Sequence, residues 1–147
     1  MFNPIQRLLS VLVVYAHNMK VLHWKVTGTD FDPTHSVFDE YAKKLNEFVD
    51  EVAEICIQLN TNPVSYSYAL DVLEKDSLFK YFIADADRNY TSKEAFEAAN
   101  VMFDTIIAVY EMVNKNQAIP EDIRNKLQEH SYFVRKEFMY KNKMRLT

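Results

Sequence analysis

An all-α fold, a bundle of four long helices, is predicted for this chain of 147 residues by three observations. One glycine and four prolines are too few for a β protein, which needs a turn about every ten residues. Apolar residues recur at alternating steps of three and four along four long stretches. Hydrophobic residues at 48% and charged residues at 26% fit a folded globular chain and exclude disorder.

The first helix is predicted to start at Asn3-Pro4, a capping side chain followed by proline at the first helical position. Ile5, Leu8, Leu12, Tyr15, Met19, Leu22 and Val26 form one stripe, and Leu9, Val13 and Ala16 form a second. A helix apolar on two sides is buried against more than one neighbour. Thr27-Gly28 is expected to end it, with the single glycine in the left-handed conformation. Asp32-Pro33 repeats the start signal for a second helix, with Phe38, Ala42, Leu45, Val49, Val52, Cys56 and Leu59 on one face. That helix is expected to end near Asn60, before a turn at Asn62-Pro63. Periodicity is weaker over residues 61–90, where Tyr68 to Phe82 has room for a short helix or two. Thr91-Ser92-Lys93-Glu94 is a capping box for a third helix carrying Phe96, Ala99, Phe103, Ile106, Tyr110 and Val113. After a loop from Asn114 to Ile119, Pro120-Glu121-Asp122 opens a fourth helix through Ile123, Leu127, Val134 and Phe138.

The links between helices one and two and between three and four are short, whereas about thirty residues separate two from three. A link of that length can run the length of the bundle and leave helices two and three parallel. This is the ferritin-like four-helix bundle with one long crossover between helices two and three, expected as a single domain over residues 1–147. Any four-helix bundle with a disordered central loop is the plainer alternative.

Several function classes are disfavoured. One cysteine allows no internal disulfide framework. A net charge of −4 argues against nucleic-acid binding by bulk electrostatics. The run Leu8 to Ala16, apolar except for Ser10, is too short to span a bilayer and lacks the flanks of a signal peptide. No membrane association and a cytoplasmic location are expected.

Ferritin-like bundles usually hold metal through paired Glu-x-x-His motifs, and this sequence has none. The second helix offers a different pattern. At about 100° per residue, His35, Asp39, Asp50 and Glu54 fall within roughly 100° of one another, beside the apolar stripe. His35 and Asp50 are nevertheless roughly 22 Å apart along the axis, so no single ion reaches both within one helix. In an antiparallel pair related by a two-fold axis, opposed residue numbers share a constant total. His35 with Glu54 and Asp39 with Asp50 share one, so a single register opposes both pairs and yields two sites per dimer. A hairpin turning near residue 29 brings His23 level with His35. Two imidazoles and three carboxylates suit iron, or zinc as a substitute, better than calcium. Solvated polar residues beside a core stripe remain the alternative reading of the same pattern.

The segments His23-Trp24-Lys25-Val26-Thr27-Gly28, Phe31, His35 with Asp39, and Asp50-Glu51-Val52-Ala53-Glu54 resemble the signature of the Dps proteins, or mini-ferritins. The likeness is dense over about residues 15–60 and architectural beyond them. It implies a ferroxidase centre between two subunits, with His23, His35 and Asp39 from one chain and Asp50 and Glu54 from its mate. It further implies a homo-oligomer, a hollow shell of twelve subunits that oxidises ferrous iron, preferably with hydrogen peroxide, and stores the ferric mineral. Trp24 matches a tryptophan that the family is thought to use as an electron donor; an anchor at the helix interface is its other reading. Glu121 and Asp122 are candidates for the pores through which iron enters.

There are departures from the pattern. Ile55 stands where the family usually has arginine, and Tyr132, Phe133 and Val134 match its aromatic-aliphatic helix ending only loosely. With a helix from residue 4, no lysine-rich N-terminal arm is expected, so DNA binding should be weak or absent. His17 is expected at a surface or interface, His130 in a structural role and Cys56 in the core. The basic residues Arg135, Lys136, Lys141, Lys143 and Arg145 read as a helix end favoured by the dipole. A structural or DNA-compacting shell without ferroxidase activity is the competing function, and a metal-free signalling bundle the third.

Overall fold

The computed structural model describes residues 3–147. Its helices are α1 (Pro4–Lys25), α2 (Phe31–Gln58), α3 (Tyr66–Lys75), α4 (Ser92–Asn114) and a last continuous run. That run comprises α5 (Glu121–Phe133), a π-helical stretch (Val134–Met139) and α6 (Tyr140–Leu146). Among the described residues the only β pairing is an isolated parallel bridge between Val26 and Tyr90, and no helix is long and apolar enough to cross a membrane.

Side-chain contacts give the helix directions. Early in α2 and α4, the Thr34 and Ser92 hydroxyls lie 2.8 Å apart and the Phe38 and Phe96 rings 5.5 Å apart. Further along both, Tyr41 meets Phe103 at 5.0 Å, and His130 bridges Phe48 and Tyr110. The two helices therefore run parallel. α1 opposes them, as Lys20 meets Asp39, Asn18 meets Met102 and His23 meets His35. The last helix opposes them too, because Phe138 reaches Tyr41 while Asn142 donates to the Phe96 carbonyl. This is the single-crossover ferritin-like bundle.

α1 is buried on two sides, as its double stripe requires: Leu8, Leu12, Tyr15, Met19 and Leu22 lie in the core, and so do Leu9 and Ala16. Its start is capped by Asn3, whose side chain accepts from the Ile5 and Gln6 amides. Its end differs from the expectation at Gly28. The helix stops at Lys25 because the Thr27 amide turns away to the Tyr90 carbonyl (2.8 Å), while the Tyr90 amide takes the Lys25 carbonyl (2.9 Å). Gly28 keeps a positive φ of 113°, but in the hairpin rather than in a helix cap. The start of α2 is likewise displaced: Asp30, not Asp32, is the N-cap, and Pro33 lies inside the first turn, where it needs no amide partner. At its far end Asn60 takes the left-handed conformation (φ 57°). The Thr61 amide then bonds back to the Cys56 carbonyl and the Asn60 amide to the Ile57 carbonyl, a Schellman ending with asparagine in place of glycine.

Where the sequence has room for a short helix or two, the crossover holds one, α3, followed by an irregular stretch strapped to α1. The Asn18 amide donates to the Phe82 carbonyl (2.8 Å), the Tyr15 hydroxyl accepts from the Phe82 amide, and Arg7 pairs with buried Asp76 (2.7 Å). The strap delivers the chain to Thr91, where the expected capping box closes: Thr91 accepts from the Glu94 amide and Glu94 from the Thr91 amide. In the last helix Val134, Phe138 and Asn142 are buried at steps of four. An α-helix would rotate such a row by about 40° per step, and the wider π turns take up part of that drift.

Replacing Thr91 by alanine should cost about 1 kcal/mol, typical of a lost N-cap. A urea midpoint unchanged by T91A would show that the crossover, not the cap, fixes the start of α4.

Candidate metal centre

His23 lies near the end of α1 and His35 in the second turn of α2, joined by the hairpin of residues 26–30. Their rings stack with centroids 3.7 Å apart and planes 14° from parallel. Each Nδ1 meets the other residue's backbone carbonyl, at 2.6 Å for His23 and 2.7 Å for His35. A carbonyl only accepts, so each Nδ1 carries a hydrogen, which leaves Nε2 as the ring position for a metal. This is how a metal-binding histidine is oriented from behind. Phe31 stacks on the outer face of His35 at 4.7 Å. Both imidazoles are half-buried, and among the described residues no side chain takes up either Nε2.

Asp39 follows His35 by four residues and so projects from the same face of α2. Lys20 on α1 reaches it at 2.7 Å and Lys43 at 3.1 Å. Hydrogen bonds from Lys20 and then Lys43 pull the Asp39 carboxyl down to about 2. Asp50 and Glu54 are exposed on the same helix, with Asp50 roughly 16 Å beyond Asp39 along the axis. The structure thus brings together His23 and His35, with Asp39 a turn away. It does not bring Asp50 or Glu54 to them within one chain, where no three His, Cys, Asp or Glu among the described residues could hold a metal ion.

The remaining candidates are placed as follows. Trp24, next to His23, is 58% exposed and has the His17 ring edge-on at 6.1 Å. His17 is exposed and also meets Tyr66. Glu121 and Asp122 are exposed in the first turn of α5. That helix begins beside Ile119, which shares a cleft with Ile5 and Leu59 at the opposite end of the bundle from the histidines. Ile55 is buried in the core, so the position departing from the family pattern is filled by packing. Cys56 is buried as expected.

One polar cluster escaped the sequence reading beyond a structural role for its histidine. His130 is buried, stacks on Phe48 at 4.0 Å, bonds Tyr110 through Nδ1 at 2.8 Å and Glu51 through Nε2. Its only signal was position: it falls on the stripe between Leu127 and Val134, where a polar residue must be paired.

The family model described as "Ferritin-like domain" matches residues 3–119, and the chain belongs to that family. Within it the fold is the one seen in Dps structures. The chain superposes on Dps from Staphylococcus aureus with a TM-score of 0.81 and 20% identity, over 98% of this chain and 93% of that one. For the Vibrio cholerae O1 Dps protein, described as a member of a broad superfamily of ferritin-like diiron-carboxylate proteins, the TM-score is 0.83 at 18% identity. That match covers 99% of this chain and 87% of the other. General stress protein 20U of Bacillus subtilis (strain 168) is 24% identical over 114 residues, 78% of this chain and 70% of that protein.

The lysine pair makes a titration testable. A carboxyl held at about 2 stays ionised as pH falls through the ordinary aspartate range and is neutralised only below it. In K20Q/K43Q, carboxyl NMR should find Asp39 moved up toward the usual value of about 3.9. No movement would show that the lysines do not hold it.

Proposed function

We propose that the chain is a Dps-type mini-ferritin. It would form a subunit of a hollow shell of twelve chains that oxidises ferrous iron with hydrogen peroxide and stores the ferric mineral. Each centre takes His23, His35 and Asp39 from one chain and Asp50 and Glu54 from its two-fold mate. The observation that carries this reading is the locked histidine pair, whose His35 shares a face of α2 with the carboxylates of Asp39, Asp50 and Glu54. Membership of the ferritin-like family supports it.

The chemistry asks little of the protein. Carboxylates draw in the hard cation, and neutral imidazoles complete a mixed nitrogen and oxygen ligand set suited to iron. Asp39 meets an arriving cation already ionised, and the ion replaces two ammonium groups of the same sign, one of them largely exposed. Two ferrous ions give one electron each to one peroxide, which takes two protons and leaves as two waters, so no hydroxyl radical is released. Trp24 stands beside His23 for either of its roles, spare electron donor or interface anchor. Glu121 and Asp122 are the proposed pore lining, and the cytoplasm is the proposed compartment.

DNA compaction has less support. The basic end of the chain is folded helix: Lys141 pairs with Glu137, Arg145 donates to the Tyr41 hydroxyl, and Asn142 is fully buried. At about physiological salt, plasmid should migrate unretarded in gels. Retardation abolished by K141Q/K143Q would reveal a DNA surface on α6.

The shared centre is tested by mixing two inactive variants, H23A/H35A and D50N/E54Q. Light scattering should first give twelve subunits, about 208 kDa for chains of 17.3 kDa, and a monomer would remove the shell and the centre together. Each variant alone should lose rapid peroxide-driven iron oxidation. Unfolded together in equal amounts and reassembled, half the dimers are hybrids, and one site in each hybrid collects no lesion. About a quarter of the activity should return. No recovery from properly mixed shells would refute an intersubunit site.

A further inference from the structure

The cluster of Tyr110, His130 and Glu51 links three helices through a directed hydrogen-bond chain. The Tyr110 hydroxyl and His130 Nδ1 are 2.8 Å apart, and His130 Nε2 meets a Glu51 carboxylate oxygen. A carboxylate can only accept, so Nε2 carries the hydrogen and Nδ1 the lone pair. Tyr110 therefore donates. Tyr110 is fully buried and His130 nearly so, whereas the Glu51 side chain is 42% exposed. Phe48 closes one face of the imidazole, stacked 13° from parallel. The chain runs from the bundle core to the surface of α2 and ends next to Asp50 and one turn from Glu54. Those are the two carboxylates that the proposed centre takes from this chain.

We propose that Tyr110 is a redox-active tyrosine, an electron donor to the peroxide reaction whose proton is held by His130 while the phenoxyl radical lasts. This rests on the ferroxidase reading. It supplies what that reading lacks when only one ferrous ion occupies a centre. One ferrous ion gives peroxide a single electron, which cleaves it to hydroxide and a hydroxyl radical. With Tyr110 as second donor, iron and phenol each lose one electron, and peroxide takes two protons from solvent to become two waters. The phenolic proton passes to His130 Nδ1. A second ferrous ion then returns an electron to the phenoxyl, the proton goes back from His130, and two irons have been oxidised per peroxide.

Each partner fits this role. Losing an electron makes a phenol strongly acidic, and in the dry core a neutral imidazole at hydrogen-bond distance is its one proton acceptor. The imidazolium so formed is a buried cation, and the Glu51 carboxylate bonded to its Nε2 is its counter-charge. Lys126 and Glu129, the other charges acting on His130, oppose each other. Burial pushes the Tyr110 phenol well above its ordinary range and the imidazole below its own, so the resting pair is a neutral phenol beside a neutral base. A hydrogen bond that merely satisfies two buried groups would have the same resting geometry, and the radical chemistry separates the two.

Two measurements on the assembled protein decide the matter. In the first, the iron-free protein is photo-oxidised with a ruthenium tris-bipyridine sensitiser and persulfate, and radicals are followed by absorbance and electron paramagnetic resonance. A long-lived tyrosyl signal should be present, and lost in Y110F but not in W24F. It should also be lost in H130N, whose amide oxygen still accepts from the phenol but does not take its proton. Identical radicals in wild type and Y110F would overturn the proposal, and so would an undiminished signal in H130N if Y110F failed to fold. In the second, one ferrous ion per centre is mixed with peroxide and freeze-quenched. Wild type should show the tyrosyl radical and little spin-trapped hydroxyl, and Y110F the reverse. Iron oxidised at the centre without a tyrosyl signal would overturn the donor role. Iron oxidised no faster than in free solution would overturn the ferroxidase reading instead, leaving the photochemical result to judge Tyr110 alone.

Discussion

The parallel course of α2 and α4 is the constraint on which the rest of the architecture depends. Two parallel neighbours cannot be joined by a tight turn, so the chain must return along the full bundle, roughly 42 Å for a helix the length of α2. The returning segment has little periodic structure of its own and needs a surface to lie on. α1 supplies it, with one apolar side against α2 and α4 and polar positions that hold the crossover. Asn18, Tyr15 and Arg7 are each spent on that strap, and each would be a costly buried polar group without it.

The same constraint builds the histidine pair. The end of the crossover is pinned to the end of α1 by the bridge between Val26 and Tyr90, so α4 starts beside α2 at Ser92 and Thr34. The α1–α2 hairpin is thereby closed at its base, and its two ends lie side by side with their carbonyls within reach of each other's imidazoles. The ring orientation is a consequence of backbone geometry, with no dedicated carboxylate behind either histidine. Side-chain rotation at either one breaks a hydrogen bond and a stacking contact together, which makes the pair stiff.

Aromatic and polar residues divide the bundle interior between them. At the histidine end of the bundle, Phe38, Tyr41, Phe96, Phe103 and Phe138 interlock in tilted and edge-on contacts, the arrangement that ring quadrupoles favour. Further along, the interior admits His130 with its two partners, joined in a hydrogen-bond chain. Asn142, buried near the chain end, binds the Phe96 carbonyl and the Asn100 side chain, which ties α6 down as part of the bundle.

By itself the sequence determined the helices, their buried faces and the crossover. Three-four spacing shows whichever partner covers the stripe, and the rows through Phe96 to Val113 and Ile123 to Phe138 are buried as read. The capping box at Thr91 was legible because both of its bonds join residues three apart. The alignment of His23 with His35 was legible for a similar reason, since a short hairpin fixes which residues are level. Tertiary structure decided what depends on a distant backbone group. The end of α1 was set by Tyr90 rather than by Gly28, and the start of α2 by the hairpin's closure rather than by Asp32. The lysine grip on Asp39 and the union of Glu51, Tyr110 and His130 join residues from separate helices. No local pattern records such meetings, because burial selects for pairing without naming the partner, and only the packed bundle does that.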